Sequence, residues 1–341
     1  MSYLTKKRIL IIRAEAVPGV AETITAADYN IRFEEAKFTP KIEFDKSKKV
    51  TTPDYGEYED VPGAMAGEIS AQFKFCPGTD TNVPGNIDKA LKMAGLVGGA
   101  VTDTGYVWND EPEGDEQTYT VLMMDITSGG TPLGEKHMLA GCIADIDIEA
   151  AGQGKPIICS IKLTGKLSTI ADLNHADMVT LSTMTTPDST PAYIFQNATV
   201  TGGADVHSFK CSKFKLSGGR TIEPLINTVD ATCIDYFTIT NREPTLSINP
   251  LKQAKSTYDA ITLATTNGSS ETIIISMTGP TYPLTIQVSN AQLLLPKEGD
   301  REGRVNWDLE FKCMRNGYEG AKVVSNANVS CLFRILQGTW V

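Results

Sequence analysis

The chain has 341 residues, of which 41% are hydrophobic and 21% charged, enough apolar material for real cores and too much for a chain disordered throughout. Its formal net charge of −10, from 41 acidic and 31 basic residues, makes it a poor nucleic-acid gripper, because neutralising phosphate needs clustered Lys and Arg. The 38 threonines, 29 glycines and 17 prolines favour β-structure with many turns.

In chain order, Leu4-Thr-Lys-Lys-Arg-Ile-Leu-Ile-Ile-Arg13 sets basic residues before four apolar ones. That apolar run is too short for a signal peptide and reads as a strand or arm. No stretch of 18 apolar residues occurs, so no transmembrane helix and no membrane partner are expected. Phe38 to Phe44 is extended. Glu68 to Phe75 alternates, with Ile69, Ala71, Phe73 and Phe75 on a buried face and Glu68, Ser70 and Gln72 on a wet one. A short helix is expected over 86–94, capped by Asn86 and ended by Gly95. Residues 97–117 read as a long loop whose acidic stretch Asp110 to Glu116 is solvated. Tyr119 to Met124 and Lys136 to Ile148 are strands. Gly152-Gln-Gly154 is a hairpin turn, and Pro156 to Leu163 is the strand that follows it.

The second half offers the same order: Phe209 to Leu216, Ile234 to Thr240, a helix over 256–264 capped by Ser256, Thr272 to Met277, and Tyr282 to Leu295. It closes on Arg304 to Phe311, expected to turn Val305, Trp307, Leu309 and Phe311 inward and Asn306, Asp308 and Glu310 to water. Strand–strand–helix–strand–strand–strand therefore runs twice. The expected fold is mainly β: two tandem β-sandwich or β-barrel domains, each with one short helix, plus extended N- and C-terminal arms. The boundaries are 1–34 for the N-terminal arm, 35–171 for the first domain, 172–191 for a linker, and 192–341 for the second domain with its C-terminal strand.

No motif for catalysis, metal or cofactor binding stands out. The three histidines, His137, His175 and His207, are scattered, and no C-x-x-C, P-loop, G-x-G-x-x-G or G-x-S-x-G is present. The seven cysteines read as buried, reduced thiols. No enzyme, cofactor or metal site is expected. Trp108, Trp307 and Trp340 would be the stacking residues if the chain were a carbohydrate-binding β-sandwich, although Trp307 falls on the apolar side of its strand. Another virion or surface structural β-protein, capsid-associated or adhesin-like, is the other alternative.

The repeated unit of about 130 residues, with two sheets, one short helix and long hairpins, resembles the tail tube domain of long-tailed bacteriophages. The N-terminal Leu4 to Glu15, Pro18-Gly19 and Ala26-Ala-Asp-Tyr-Asn-Ile31 are similar to the opening of many such tail proteins. So are the hairpins around Gly141 to Ala150 and Asn290 to Arg304. The chain departs from the usual pattern in carrying two such domains. The resemblance implies trimeric, pseudo-hexameric rings that stack into a tail tube in the virion, made and assembled in the bacterial host cytoplasm. It also implies tape-measure and tail-terminator or tip proteins as partners, and DNA that passes through without specific binding. Six domains of four strands would close a barrel of about 24 strands, ~160 Å around and ~50 Å across. Glu68, Ser70, Gln72, Asn306, Asp308 and Glu310 are the candidates for a polar, acidic lining of the lumen; an ordinary outer solvent face is the alternative. Loops 45–66 and 97–117 and segments 1–30 and 325–341 are expected at subunit contacts. Their apolar Ile9, Leu10, Ile12, Leu332, Phe333 and Ile335 need burial.

Overall fold

The computed structural model describes residues 3–25, 28, 33–45, 61–78, 87–101, 105–110, 116–127, 134–174, 191–196, 198–202, 207–266, 270–279, 282–315 and 331–338. The first half contributes β1 (Tyr3–Ala14), β2 (Glu34–Asp45), β3 (Val61–Lys74), α1 (Asp88–Met93), β4 (Val97–Val101), β5 (Gly105–Asn109), β6 (Tyr119–Thr127), β7 (Gly134–Ala150) and β8 (Ile158–Asp172). The second contributes β9 (Thr199–Gly202), β10 (His207–Phe209), β11 (Cys211–Ser217), β12 (Arg220–Ile226), β13 (Ile234–Arg242), β14 (Thr245–Pro250), α2 (Ala260–Thr265), β15 (Glu271–Met277), β16 (Leu284–Leu293), β17 (Lys297–Arg301), β18 (Arg304–Cys313) and β19 (Arg334–Gly338). The fold is mainly β, as expected.

Eight strands run side by side in the order β2-β3-β8-β7-β11-β14-β18-β17, every neighbour antiparallel. Four come from each half. The β7–β11 ladder joins the halves, with Ile148 opposite Leu216. Residues directly opposite share a face, so the registers trace rungs across the sheet. Phe73, Cys159, Ile148, Leu216, Leu246 and Phe311 form one rung, and all six are buried in the main core. That core takes residues from both halves, so the two expected domains are not separately packed.

A second layer covers the core. In the first half β1 pairs with β6 and β6 with the start of β7. In the second, β10, β9, β15 and β16 line up in the same way. Bound to the free side of β16 is β19, and β5 pairs with β19 in turn. The span 97–117 is thus not a loop throughout: its β4–β5 hairpin extends the other half's sheet. Leu10 and Ile12 lie in the main core, and Ile9 packs beside Ile11 and Met124. Leu332, Phe333 and Ile335 are core residues too. The reason for placing these six apolar groups at a subunit contact is corrected: the chain packs them itself, Ile9 only partly, and each arm contributes a sheet strand, β1 and β19.

The helices are shorter than expected. α1 begins at Asp88 with Ile87 at its N-cap, which makes no side-chain cap bond; the expected cap, Asn86, lies outside the described residues. α2 begins at Ala260, and Asp259 rather than Ser256 caps it, accepting from the Thr262 amide and hydroxyl at 3.1 and 2.7 Å. The repeat also needs one correction. The sheet partner that corresponds to β3 is β14, not 234–240, which forms β13 of a separate two-stranded hairpin with β12.

That hairpin carries a buried cluster of polar contacts between the halves. Asp110 is fully buried, not solvated. It accepts from Arg220 Nη2 at 2.9 Å and from Arg242 Nη1 at 2.8 Å. Arg220 Nε also donates to the Ala94 carbonyl, and Arg242 Nη1 donates to the Gly95 carbonyl at 2.9 Å. Arg242 Nη2 reaches Glu116 at 3.4 Å. Burial pushes the Arg220 guanidinium's pKa down, and the Asp110 charge works against that shift. Gly95 is required here twice: its φ is +76°, and a Cβ would stand 2.8 Å from Arg242 Nη2. Replacing Asp110 with Ala leaves two buried guanidinium groups without their shared carboxylate, which should cost about 3–5 kcal/mol. Urea titration followed by tryptophan fluorescence reads this as a lower midpoint, and an unchanged midpoint would show that the cluster does not hold the halves.

Candidate functional site

The eight-stranded sheet turns its second face outward, and polar side chains fill it. One rung is Gln72, Ser160, Asp147, Ser217, Thr245 and Lys312; the next is Lys74, Ile158, Glu149, Lys215, Ser247 and Glu310. Period-two alternation explains it: each outward residue is flanked by the buried residues of the inner rung. Five of the six expected lining residues, Glu68, Ser70, Gln72, Asp308 and Glu310, therefore share one face of one sheet, although they come from opposite halves.

Asn306 keeps the register and donates to Asp308 at 3.1 Å, but it is not open to solvent. It is 3% exposed, while Val305, expected inward, is 51% exposed. The alternation slips between Asn306 and Trp307, which are both buried, and from Trp307 to Cys313 it runs as expected. The isolated bridge from Leu251 to Asn306 sits at that slip.

The face is not the acidic surface expected. Glu68 meets Lys41 at 2.5 Å and Lys162 at 3.2 Å. Burial tends to raise its pKa, but the hydrogen bonds and charges of the two lysines outweigh burial and hold its carboxyl below the usual range. Lys215 meets Asp147 at 2.9 Å, and that hydrogen bond raises the Lys215 pKa. Two grooves cut the face, one within the first half and one where the halves meet. The first, of about 360 Å³, is lined by Glu35, Lys37, Ser70, Gln72, Asp145, Asp147, Ser160 and Lys162 among others. The second, of about 460 Å³, includes Glu149, Lys213, Lys215, Ser247, Lys297, Asp308 and Glu310. Both mix carboxylates with lysines.

Two further features were not foreseen. Among the described residues β2 pairs only with β3, and β17 only with β18, so the sheet ends in two free edges. Ile42 is exposed on one edge, and Leu294 and Leu295 immediately before the other. The β12–β13 hairpin also ends in an apolar tip, where Leu225, Ile226 and Val229 are exposed, Val229 by 91%. The alternating character of 234–240 disguised that hairpin as a repeat strand.

Chemistry-bearing side chains are engaged in structure. Cys142, Cys159, Cys313 and Cys331 are buried, and burial raises the Cys211 and Cys313 thiols to about 12. Among the described residues no group of three or more His, Cys, Asp or Glu is placed to hold a metal ion. Trp108 and Trp307 are buried, the first donating to Asp88 at 2.9 Å and the second beneath Lys252, so neither offers a stacking platform. Trp340 lies outside the described residues. No described helix is long and apolar enough to cross a membrane. No family model matches the chain, and no curated protein matches it.

The facing of β18 yields a sharp contrast. Leu309→Ala removes a core side chain and should destabilise by about 2–5 kcal/mol. Asp308→Ala and Glu310→Ala, one residue either side, should each stay within about 0.5 kcal/mol of the parent. Thermal melts of the three variants decide it; comparable losses at all three would reject the assigned face.

Proposed function

We propose that the chain is a structural subunit of a phage tail tube: three copies form a pseudo-hexameric ring, and rings stack into a conduit for DNA. The observation that carries this reading is the eight-stranded antiparallel sheet with four strands from each half. One face is apolar and buried, the other polar and exposed, and among the described residues neither edge carries a further strand. An even number of alternating strands makes the two edges run in opposite directions. Head-to-tail addition of a second copy therefore continues the antiparallel order, and a third copy brings the total to about 24 strands. At ~4.8 Å between strands and a tilt near 45°, the backbone diameter is ~50 Å. Side chains reduce the opening to roughly 40 Å, against about 20 Å for a DNA duplex. A closed ring also removes both edges.

The polar face suits passage of DNA for a reason other than uniform repulsion. Its lysines stand among carboxylates: Lys41 and Lys162 on Glu68, Lys215 on Asp147. A phosphate would have to displace those carboxylates, so little counterion release is gained on contact. Tape-measure and terminator or tip proteins are the partners this reading adds, and the virion tail is the location. An unrelated surface β-protein would share the fold but not polymerise.

Negative-stain micrographs of the purified chain should show rings or tubes; monomers alone would sink the proposal. Replacing Asp308 and Glu310 with Lys should leave tubes intact, because Trp307, Leu309 and Phe311 beneath are untouched. DNA delivery should slow, most at low salt, where the Debye length exceeds the ~8 Å of physiological conditions. Delivery at the parent rate across all salt concentrations would place these residues away from the DNA path.

A further inference from the structure

The chain contains its own template for the joint between copies. β2 and β11 hold corresponding places: Phe38 lies opposite Ile69 as Leu216 lies opposite Leu246. Both strands carry an irregularity just before that point, between Glu34 and Lys37 and between Cys211 and Phe214. β17 corresponds to the end of β7. Ile69 pairs with Leu163 as Leu246 pairs with Phe311, which aligns Ser160 with Asp308. Their partners on the next strand, Asp147 and Lys297, then correspond. Within the chain, Asp147 lies opposite Ser217, Ile148 opposite Leu216 and Glu149 opposite Lys215.

We infer that β17 of one copy pairs antiparallel with β2 of the next in the transferred register, Lys297 opposite Thr39, Glu298 opposite Phe38 and Gly299 opposite Lys37. The partner is a second copy of this chain, and the contact is heterologous, so it repeats around a ring. Two observations outside the template agree with it. The edges run in opposite senses, as an antiparallel joint requires. The same register brings exposed Leu294 and Leu295, just ahead of β17, alongside exposed Ile42 near the end of β2, so that each covers apolar surface left bare in the single chain. The inference rests on the ring reading for its number of copies, but not for its register.

Thr39 and Lys297 are opposite in this joint, within the Cα separation that a disulfide spans. The test mixes full-length Thr39→Cys with full-length Lys297→Cys under mild oxidation, beside each variant alone, the parent chain, and a mixture of Lys41→Cys with Lys297→Cys. Position 41 keeps the face but moves about 7 Å along the strand, out of disulfide reach. Non-reducing gels should show covalent dimer about tenfold more abundant in the 39/297 mixture than in any other sample. The double variant Thr39→Cys/Lys297→Cys should climb to a three-chain species and stop. If micrographs show rings while 41/297 links as well as or better than 39/297, the register is wrong and the ring reading survives. If rings are absent and 39/297 still links, the joint holds and closure by three copies fails. If neither rings nor links appear, both fail.

Discussion

A buried carboxylate ties the two halves of this molecule together, beside the β7–β11 ladder and the apolar core that they share. Asp110 comes from the first half, just after β5, while Arg220 and Arg242 come from the two strands of a second-half hairpin. Buried charges are expensive, and truncating one partner is worse than replacing the set with apolar groups. The cluster therefore contributes geometry more than net stability. Two guanidinium forks reach the carboxylate and the carbonyls that end α1, which restricts the hairpin to one seat. With the hairpin seated, Gly218 donates to the Ile146 carbonyl at 2.7 Å, and β11 runs straight into the β7 ladder. A shift of one residue there would turn Leu216 to water and Lys215 into the core.

The consequence is a sheet whose two faces have separate tasks. The inner face is continuous aliphatic and aromatic packing across both halves, and the stability of the chain comes mainly from it. The outer face contributes little, since exposed ion pairs are worth about 0–1 kcal/mol. Side chains there can be set by function alone. Interspersing carboxylates with lysines leaves a surface that is strongly hydrated yet has no sustained sign, which suits the proposed role as a wall that something charged slides past.

Much of this was legible in the residues. The alternation at 68–75 and from Trp307 onward assigned faces because one side of a two-sided sheet must be apolar. The duplication was legible through element order, and so were the two helices, although their starts shifted by two to four residues and neither expected cap was found at its place. Three things were not. The break in the burial pattern at Asn306 coincides with a bridge to Leu251, far away in the sequence. Asp110 looked solvated because its neighbours Pro112 and Gly114 signal a turn; only the arginines more than a hundred residues later reveal that it is buried. The apolar ends of the chain, Leu10 and Ile12, Leu332 and Phe333, looked like surface in want of a partner. Sequence reports that such groups need burial but not whether a strand of the same chain supplies it.

The proposed joint asks of each edge that it resist indiscriminate pairing and still accept one partner. Free edges invite indiscriminate pairing. β2 blunts its edge with Pro40, exposed lysines at 37 and 41, and Glu35 at a φ of 53°, a backbone kink that interrupts the ladder. β17 is only five residues long and four of them are charged. A generic strand meeting either edge gains few hydrogen bonds before it meets a charge or the kink. β11 carries a comparable irregularity and still pairs with β7, so the kink excludes most registers without excluding all. The duplication thus supplies both halves of the argument: a blunted edge strand, and, inside the same chain, a twin that pairs with one partner in one register.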